Sequence, residues 1–342
     1  MQSSIARGGP AEVDTFRGLP RKGIFRILVC RTSHSLGNTL FMTPLLQEIE
    51  SQWPGAEVDL VTRYAPALQI FSTYSSVRKV MRLPKRWIRH PFTWIKTLLE
   101  MRSTHYDLVI DTDRRSRTGR LLVRLTRARH KLGFAGRGSL TVEVSAADAP
   151  KHAAHFPVFL LRKALSLESR HYPSLSTKLK RSELIDGRAQ LLRVAGPGTK
   201  NKRGVVGIFA NATGPKSMSQ QWWREFMPIV ESHLADYAIV EIIPAFGQSM
   251  LESRYPTYFS SDIRNLSRFM SALSMLISLD CGIMHLARAS GTAVGAVFTT
   301  TDVEQWGPYG PGAYFVQCDR EYPGKAAHQL MDAIPLASPA AA

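Results

Sequence analysis

The sequence of 342 residues lacks the features that mark membrane-spanning and secreted chains. It has no apolar run of about 18 residues, so no segment is predicted to span a membrane. Its cysteines, Cys30, Cys281 and Cys318, form no C-x-x-C pair and no disulfide framework, which is typical of a reducing cytoplasm. Residues 1–22 lack the apolar core of a signal peptide. No G-x-G-x-x-G follows the first predicted strand, which disfavours a nicotinamide dehydrogenase.

Acidic residues are scarce relative to basic ones. The chain has 44 lysines and arginines against 27 aspartates and glutamates, a net charge of +17, which favours anionic partners such as nucleic acid, anionic lipid or phosphorylated glycans. Residues 78–137 hold 17 basic and 4 acidic residues, so they carry +13 of this charge. The segment has no recognisable nucleic-acid-binding motif, and a nucleic-acid partner is therefore not predicted.

Apolar runs of strand length alternate with helix-length segments, a pattern typical of βαβ units around parallel sheets. The pattern weakens around residues 169–203 and then restarts. We therefore predict an α/β fold of two Rossmann-like domains whose parallel sheets face each other across a central cleft. The first predicted divisions are a flexible N-terminal tail at residues 1–23 and an acceptor-side domain at 24–175. An inter-domain connection with a short helix near 182–194 follows at 176–203. The donor-side domain is predicted at 204–320, and a C-terminal segment with a frayed tail at 321–342.

The most informative segment runs from Leu276 to Gly291. An apolar run stops at Asp280, turns on Gly282 and enters a helical pattern with His285 in its first turn. In an open α/β sheet, ligands bind where strands end and helices begin, and the free amides and dipole of a helix start favour phosphate. Asp280 could accept hydrogen bonds from sugar or ribose hydroxyls while His285 faces a diphosphate. The alternative is an ordinary strand–turn–helix corner with a surface aspartate.

Five blocks of the sequence carry a resemblance to a known family. They are Ile27–Asn38, Thr43–Leu46, Tyr106–Asp111, Ala210–Lys216, and Asp280–His285 with Trp306-Gly307-Pro308 downstream. In order and spacing they resemble glycosyltransferase family 9, the heptosyltransferases of lipopolysaccharide assembly. The resemblance implies a GT-B fold and an inverting transferase that uses a nucleotide-activated sugar, typically ADP-heptose, with no metal and no cofactor.

The residues expected on the donor side are present. A metal-free transferase must neutralise the leaving nucleotide diphosphate with fixed donors, and Lys216 is the best candidate, although a solvated loop lysine is the alternative. Thr213 and the amides of the same loop can add hydrogen bonds to phosphate oxygens. By resemblance, this loop and the Asp280–His285 turn form the two sides of a donor pocket. The predicted donor-binding residues are Thr213, Lys216, Asp280, Cys281, Gly282, Met284 and His285.

The acceptor side departs from the family pattern. The family has an aspartate after the glycine of the first strand-to-helix turn, understood as the base that deprotonates the acceptor hydroxyl, but here Asn38 follows Gly37. Gly37 would let the backbone approach a ligand closely. An amide can orient a hydroxyl but cannot take its proton at useful pH.

Three interpretations of Asn38 stay open. Another group serves as base, with His34 and Asp113 as the candidates, or Asn38 positions an acceptor whose proton goes to water or to a substrate phosphate. In the third, the chain binds a nucleotide sugar without transferring it. We favour retained activity because the donor-side residues are intact.

Cationic side chains near the cleft suggest the nature of the acceptor. Arg114, Arg115 and Arg117 follow the fourth predicted strand and could contact a phosphorylated or carboxylated glycan, the alternative being a solvated basic helix. The segment Lys85–Leu99 mixes aromatic residues with cations, so it either lies in a membrane interface or packs its apolar side on its own core. We expect a monomer in peripheral contact with the cytoplasmic face of the inner membrane, acting on an anionic lipid-linked glycan.

Two patterns resemble metal sites, and we predict a metal at neither. Asp111-Thr112-Asp113 is similar to the DxD motif of other glycosyltransferases, but a basic run follows it directly and no further carboxylates are identified nearby. His152 and His155 would share one helical face without a third ligand.

Overall fold

The computed structural model describes residues 18–84, 89–114, 116–136, 140–244 and 247–335. Within them, two parallel six-stranded sheets are flanked by helices, as the α/β prediction requires. The strands of the first half are β1 Arg26–Arg31, β2 Glu57–Thr62, β3 Val77–Arg82, β4 Tyr106–Asp111, β5 Ala128–Phe134 and β6 Val142–Val144. Its helices are α1 Leu36–Leu40, α2 Thr43–Gln52, α3 Ala67–Phe71, α4 Pro91–Ser103, α5 Arg117–Leu125 and α6 Phe156–Ala164.

The second half repeats this plan after the linker helix α7, Arg181–Ala195. Its strands are β7 Gly204–Phe209, β8 Tyr237–Ile242, β9 Thr257–Tyr258, β10 Met275–Leu279, β11 Ala293–Phe298 and β12 Ala313–Gln317. Its helices are α8 Gln220–His233, α9 Ile263–Ser271, α10 Gly282–Ala289, α11 Val303–Trp306 and α12 Pro323–Ala333.

The two sheets share one topology. The first has the order β3-β2-β1-β4-β5-β6 and the second the equivalent order β9-β8-β7-β10-β11-β12. In each sheet the strand order reverses between two parallel neighbours, β1 and β4 in the first and β7 and β10 in the second. Ligands of doubly wound sheets bind beyond the carboxyl ends of the strands at this switch point. The loops that follow these four strands are therefore the expected place for a site.

Several elements differ from the sequence pattern for local reasons. The sequence pattern predicts one helix from about residue 40 to 52. The structure has two helices here instead, because Ser35 caps α1 and Pro44 stands in the first turn of α2. Helix α6 has no amphipathic pattern in the sequence, because nearly all of its residues are buried. Residues from 321 onward are predicted as a C-terminal segment outside the second domain, but α12 packs on α8 and on strands β11 and β12. No helix in the described residues is long and apolar enough to cross a bilayer.

The linker joins the halves through a buried ionic network. Helix α7 crosses α9 so closely that a Cβ on Gly187 would lie 1.9 Å from the carbonyl oxygen of Arg268. Glu183 of α7 accepts hydrogen bonds from Arg264 at 2.6 and 2.8 Å and from Arg268 at 2.9 and 3.0 Å. Arg264 also donates to the carbonyl oxygen of Thr177 at 2.7 Å, so the network fixes the linker backbone on the second half.

Candidate functional site

A cleft of about 570 Å³ lies where the loops after β1, β7 and β10 meet. Each loop begins at the carboxyl end of a strand next to a switch point, so the topology brings together residues that are far apart in the sequence. Of the predicted site residues, the following line the cleft: Gly37, Asn38, Thr213, Lys216, Asp280, Cys281, Gly282 and His285. Met284 does not line it, because its side chain is fully buried in the hydrophobic core.

An ion pair between Lys216 and Asp280 crosses the donor side of the cleft. The Lys216 Nζ lies 2.6 Å from Oδ2 of Asp280, whose side chain is only 8% exposed, whereas that of Lys216 is 33% exposed. The buried strand β10 ends at Leu279 and places the carboxylate directly at the cleft. The ammonium keeps two further N–H groups for a ligand, so the pair combines a cation with a sugar-hydroxyl acceptor.

Helix α10 points its N-terminus into the same cleft. Cys281 is its N-cap, and Gly282, Ile283 and His285 of its first turn line the cleft. Burial raises the pKa of the Cys281 thiol to about 11, so this thiol is protonated at neutral pH. Burial, with the charges of His152 and Lys216, lowers the pKa of His285 to about 3, so His285 is neutral. The helix start therefore places the positive end of its dipole and a neutral imidazole at the cleft, an environment that favours an anion.

Two buried nitrogen atoms, in side chains of residues that line this cleft, have no hydrogen-bond partner among the described residues. They are Nδ2 of Asn211 and Nδ1 of His285. A buried polar group without a partner costs free energy, and a bound ligand can supply the missing bonds. No site role is predicted for Asn211 from the sequence. Its position directly beyond the β7 strand and before Lys216 was the available signal.

The two halves touch at paired glycines. A Cβ on Gly37 would lie 2.9 Å from Cδ2 of His285, and one on Gly282 would lie 3.2 Å from the amide nitrogen of Gly37. Phe41 adds an edge-on ring contact to His285 with centroids 4.7 Å apart. The close approach that Gly37 permits is therefore to the other half of the chain, which holds the acceptor-side turn against the donor-side helix.

Asn38 is held in the cleft wall by a buried arginine. Its Oδ1 accepts a hydrogen bond from Nη2 of Arg31 at 2.7 Å, and its Nδ2 donates to Oγ of Ser35 at 2.9 Å. The Arg31 side chain is 7% exposed and forms an ion pair with Oδ1 of Asp113 at 3.5 Å. The sequence did not predict this contact, because Arg31 follows the apolar run of the first strand and nothing in the local pattern indicates that its side chain is buried beside Asn38.

The two alternative bases do not line the cleft. Asp113 points its Oδ2 at the backbone nitrogen and the hydroxyl of Thr32, 3.2 Å from each, and its other oxygen at Arg31. His34 is exposed and has no hydrogen bond to another described residue. In this arrangement neither side chain is positioned to take a proton from a group bound in the cleft.

Two of the predicted acceptor arginines, Arg114 and Arg117, do not line the cleft. The guanidinium of Arg114 stacks over Phe134 and Phe156, 5.6 and 5.1 Å from the ring centroids, whereas Arg117 is exposed at the start of α5. Arg115 is outside the described residues.

The histidines considered as a metal pair are placed differently from the prediction. His155 is the N-cap of α6 and His152 precedes the helix, so they do not share a helical face. His152 contacts the carbonyl oxygen of Gly307 through Nε2 at 2.8 Å, and His155 stacks on Tyr172. Among the described residues, no group of three or more His, Cys, Asp and Glu side chains could hold a metal ion.

Comparison with known proteins agrees with this geometry. The model of glycosyltransferase family 9 (heptosyltransferase) matches residues 261–333, which include the Asp280–His285 turn. A sequence search of curated proteins found no significant match.

Solved structures share the fold over nearly the whole chain. A family 9 glycosyl transferase from Veillonella parvula has a TM-score of 0.75 at 16% identity, covering 92% of this chain and 99% of that one. The E. coli heptosyltransferase WaaC with ADP has a TM-score of 0.66 at 20% identity, covering 90% and 96%. The E. coli ADP-heptose lipopolysaccharide heptosyltransferase II has a TM-score of 0.63 at 16% identity, covering 90% and 98%.

The paired Rossmann-like halves and the cleft between them define the GT-B fold, which these solved structures share. The family match over the donor-side helix confirms the resemblance of this chain to glycosyltransferase family 9, the heptosyltransferases.

Proposed function

We propose that the protein transfers a heptose from ADP-heptose, with inversion and without a metal, to an anionic glycan acceptor of the lipopolysaccharide-core type. The observation that carries the proposal is the Lys216–Asp280 pair beside the N-terminus of α10. The donor nucleotide is suggested by the WaaC structure, which contains ADP.

The donor-side chemistry follows from charge. As the acceptor oxygen bonds to the anomeric carbon, the bond from that carbon to the diphosphate breaks and its electron pair leaves with ADP. Lys216 and the amides of α10 stabilise the charge that develops on the diphosphate. Asp280 accepts hydrogen bonds from donor hydroxyls, and the unpartnered Nδ2 of Asn211 donates one to the donor.

The acceptor side works without a carboxylate at position 38. Asn38, fixed by Arg31, orients the acceptor hydroxyl, and the proton leaves to water or to a phosphate of the substrate. We take the acceptor to be anionic because residues 78–137 of the first half carry a net charge of +13, which favours an anionic partner.

A panel of nucleotide sugars tests the proposal. We expect ADP-heptose to raise the Tm more than ADP-glucose, GDP-mannose or UDP-glucose, with about 2.7 kcal/mol of stabilisation at a concentration 100 times the Kd. ADP release should then depend on added acceptor. Stronger stabilisation by a UDP- or GDP-sugar would contradict the proposed donor.

Replacing Asn38 by aspartate tests the acceptor side. We expect Asn38→Asp to retain activity and to raise kcat about tenfold, because a carboxylate there can act as a general base. Arg31 would favour its ionised form, so activity should fall at acidic pH in the variant only. The control Asn38→Ala removes the orienting group and should lower kcat. Complete loss in Asn38→Asp would show that the amide N–H is itself required.

The second candidate function is nucleotide-sugar binding without transfer. It is favoured by one observation, the engagement of both Asn38 side-chain atoms with Arg31 and Ser35. If it is correct, ADP-heptose stabilises the wild type but no acceptor tested gives product, and Asn38→Asp creates activity where none existed.

A further inference from the structure

Helix α4 presents apolar side chains on two opposite faces. Its inner face buries Thr97 and Met101 and packs Trp94 against the hydrophobic core. Its outer face carries Phe92, Ile95 and Leu99 with exposed fractions of 85%, 51% and 61%. These three residues are spaced i, i+3 and i+7, so they form one continuous stripe on the helix. No described part of the chain covers this stripe.

The surroundings of the stripe are cationic. Arg89, Lys96 and Arg102 are exposed beside it, and none forms an ion pair with another described residue. Glu100, the one acidic residue of α4, is paired with Lys79 of β3 at 3.1 Å. The charge on this face is therefore positive without local compensation, in keeping with the net charge of residues 78–137.

The neighbouring helix continues the same surface. Helix α5 packs beside α4 and exposes Leu121 at 44%. Arg117, Arg120 and Arg124 are exposed on this helix. Apolar side chains standing among cations match the two components of an anionic bilayer interface, acyl chains and phosphate head groups.

Helix α4 begins at the edge of the sheet where the cleft lies. Because α4 follows β3, which runs parallel to β1, its first turn lies toward the carboxyl edge of the sheet, where the Asn38 turn also lies. A bilayer in contact with Phe92 would therefore be on the cleft side of the molecule. An acceptor carried by a lipid could reach the cleft from that surface.

We propose that the outer face of α4 docks this protein on an anionic lipid bilayer, with Phe92, Ile95 and Leu99 inserted in the interface and the flanking cations on lipid phosphates. The proposal goes beyond sugar transfer and does not depend on it. The aromatic and aliphatic side chains supply binding that salt does not screen, while the cations supply the preference for anionic lipid.

Vesicle sedimentation tests this surface. We expect the full chain to bind vesicles of phosphatidylcholine mixed with an equal amount of phosphatidylglycerol, and to bind phosphatidylcholine alone far more weakly. The triple variant Phe92→Ser, Ile95→Ser, Leu99→Ser should lower the partition coefficient by about tenfold or more. Because all three side chains are exposed, its Tm should stay close to that of the wild type.

A matched control uses the exposed apolar residues of another helix. The variant Leu184→Ser, Ile185→Ser, Leu192→Ser changes α7 residues with exposed fractions of 44%, 62% and 53%, and it should bind vesicles as the wild type does. Equal binding by wild type and the α4 variant would overturn the proposal. So would a dimer that the α4 variant dissociates, or RNA binding that it abolishes with no vesicle binding by the wild type. Donor-induced stabilisation, measured in parallel without lipid, reports separately on the proposed transfer.

Discussion

Replacing Lys216 by methionine is expected to lower kcat/KM for sugar transfer by about 10²- to 10³-fold, the usual cost of removing one preorganised donor at a developing anion. The Nζ of Lys216 lies 2.6 Å from the buried carboxylate of Asp280, at the entrance to the N-terminus of α10. Among the described residues that line the cleft, Lys216 is the only lysine or arginine, so in the proposed metal-free reaction its ammonium is the cation that can neutralise the departing diphosphate. Steady-state kinetics with ADP-heptose and acceptor give the measurement.

A double variant separates two roles of this lysine. If Lys216 served only to neutralise Asp280, the variant Lys216→Met, Asp280→Asn would recover activity, because it removes both charges. We expect it to stay as inactive as Lys216→Met. Lys202→Met is the control, since Lys202 is an exposed lysine just before the same strand β7 and should be dispensable. Recovery in the double variant would contradict a direct role of Lys216 on the diphosphate.

Replacing Glu183 by glutamine should lower the free energy of unfolding by about 3 kcal/mol at neutral pH, because it leaves a buried guanidinium without its counter-charge. The side chains of Glu183 and Arg264 are 10% and 7% exposed. Arg264 also holds the linker carbonyls of Thr177 and Lys178, so the variant weakens the attachment of the linker. Urea unfolding of both proteins gives the difference in free energy.

This difference should depend on pH in a defined window. The hydrogen bonds from Arg264, with further donors from Arg268 and the backbone of Lys180, lower the pKa of Glu183 from 4.5 to about 2. A carboxylate with a depressed pKa stabilises the folded state fully above its unfolded pKa, so the contribution is present above pH 4.5 and is lost as pH falls toward 2.

An exposed ion pair is the matched control for the pH series. Glu252 pairs with Arg224 at the surface, and Glu252→Gln should leave stability nearly unchanged at every pH, because solvent screens an exposed ion pair. A pH-independent difference for Glu183→Gln would show that shape, not charge, accounts for the loss.

Much of the fold follows from short-range sequence patterns. The largely apolar run Tyr106–Asp111 predicts a strand, and β4 has the same bounds, because a buried parallel strand is a near-continuous apolar run. The linker helix α7 was predicted within one residue at each end. Helix α12 was not predicted, because the small residues Ala326 and Ala327 do not mark an apolar face in the sequence, and only the fold shows that they are buried.

Only some residues of the candidate site could be selected from the sequence. Lys216, Asp280 and His285 could be selected from the sequence, because each follows a strand in a loop or at a helix start, where ligand groups are expected. Asn211 could not be distinguished from its loop neighbours, since only the fold buries its amide nitrogen without a partner. The restraint of Asn38 by Arg31 also depends on the packing of β1 beside β4, which buries the guanidinium.

By itself, the sequence determined the α/β class and the doubled arrangement, because these depend on the periodicity of apolar residues, and it selected candidate donor-side residues from the loops that follow the strands. Only the tertiary structure decided which residues meet across the cleft and which face of α4 is exposed. The contact of Gly37 with His285 joins residues from opposite halves, and the exposure of Phe92 depends on what packs on the other side of its helix. Contacts of this kind are set by chain topology and packing, and no local pattern encodes them.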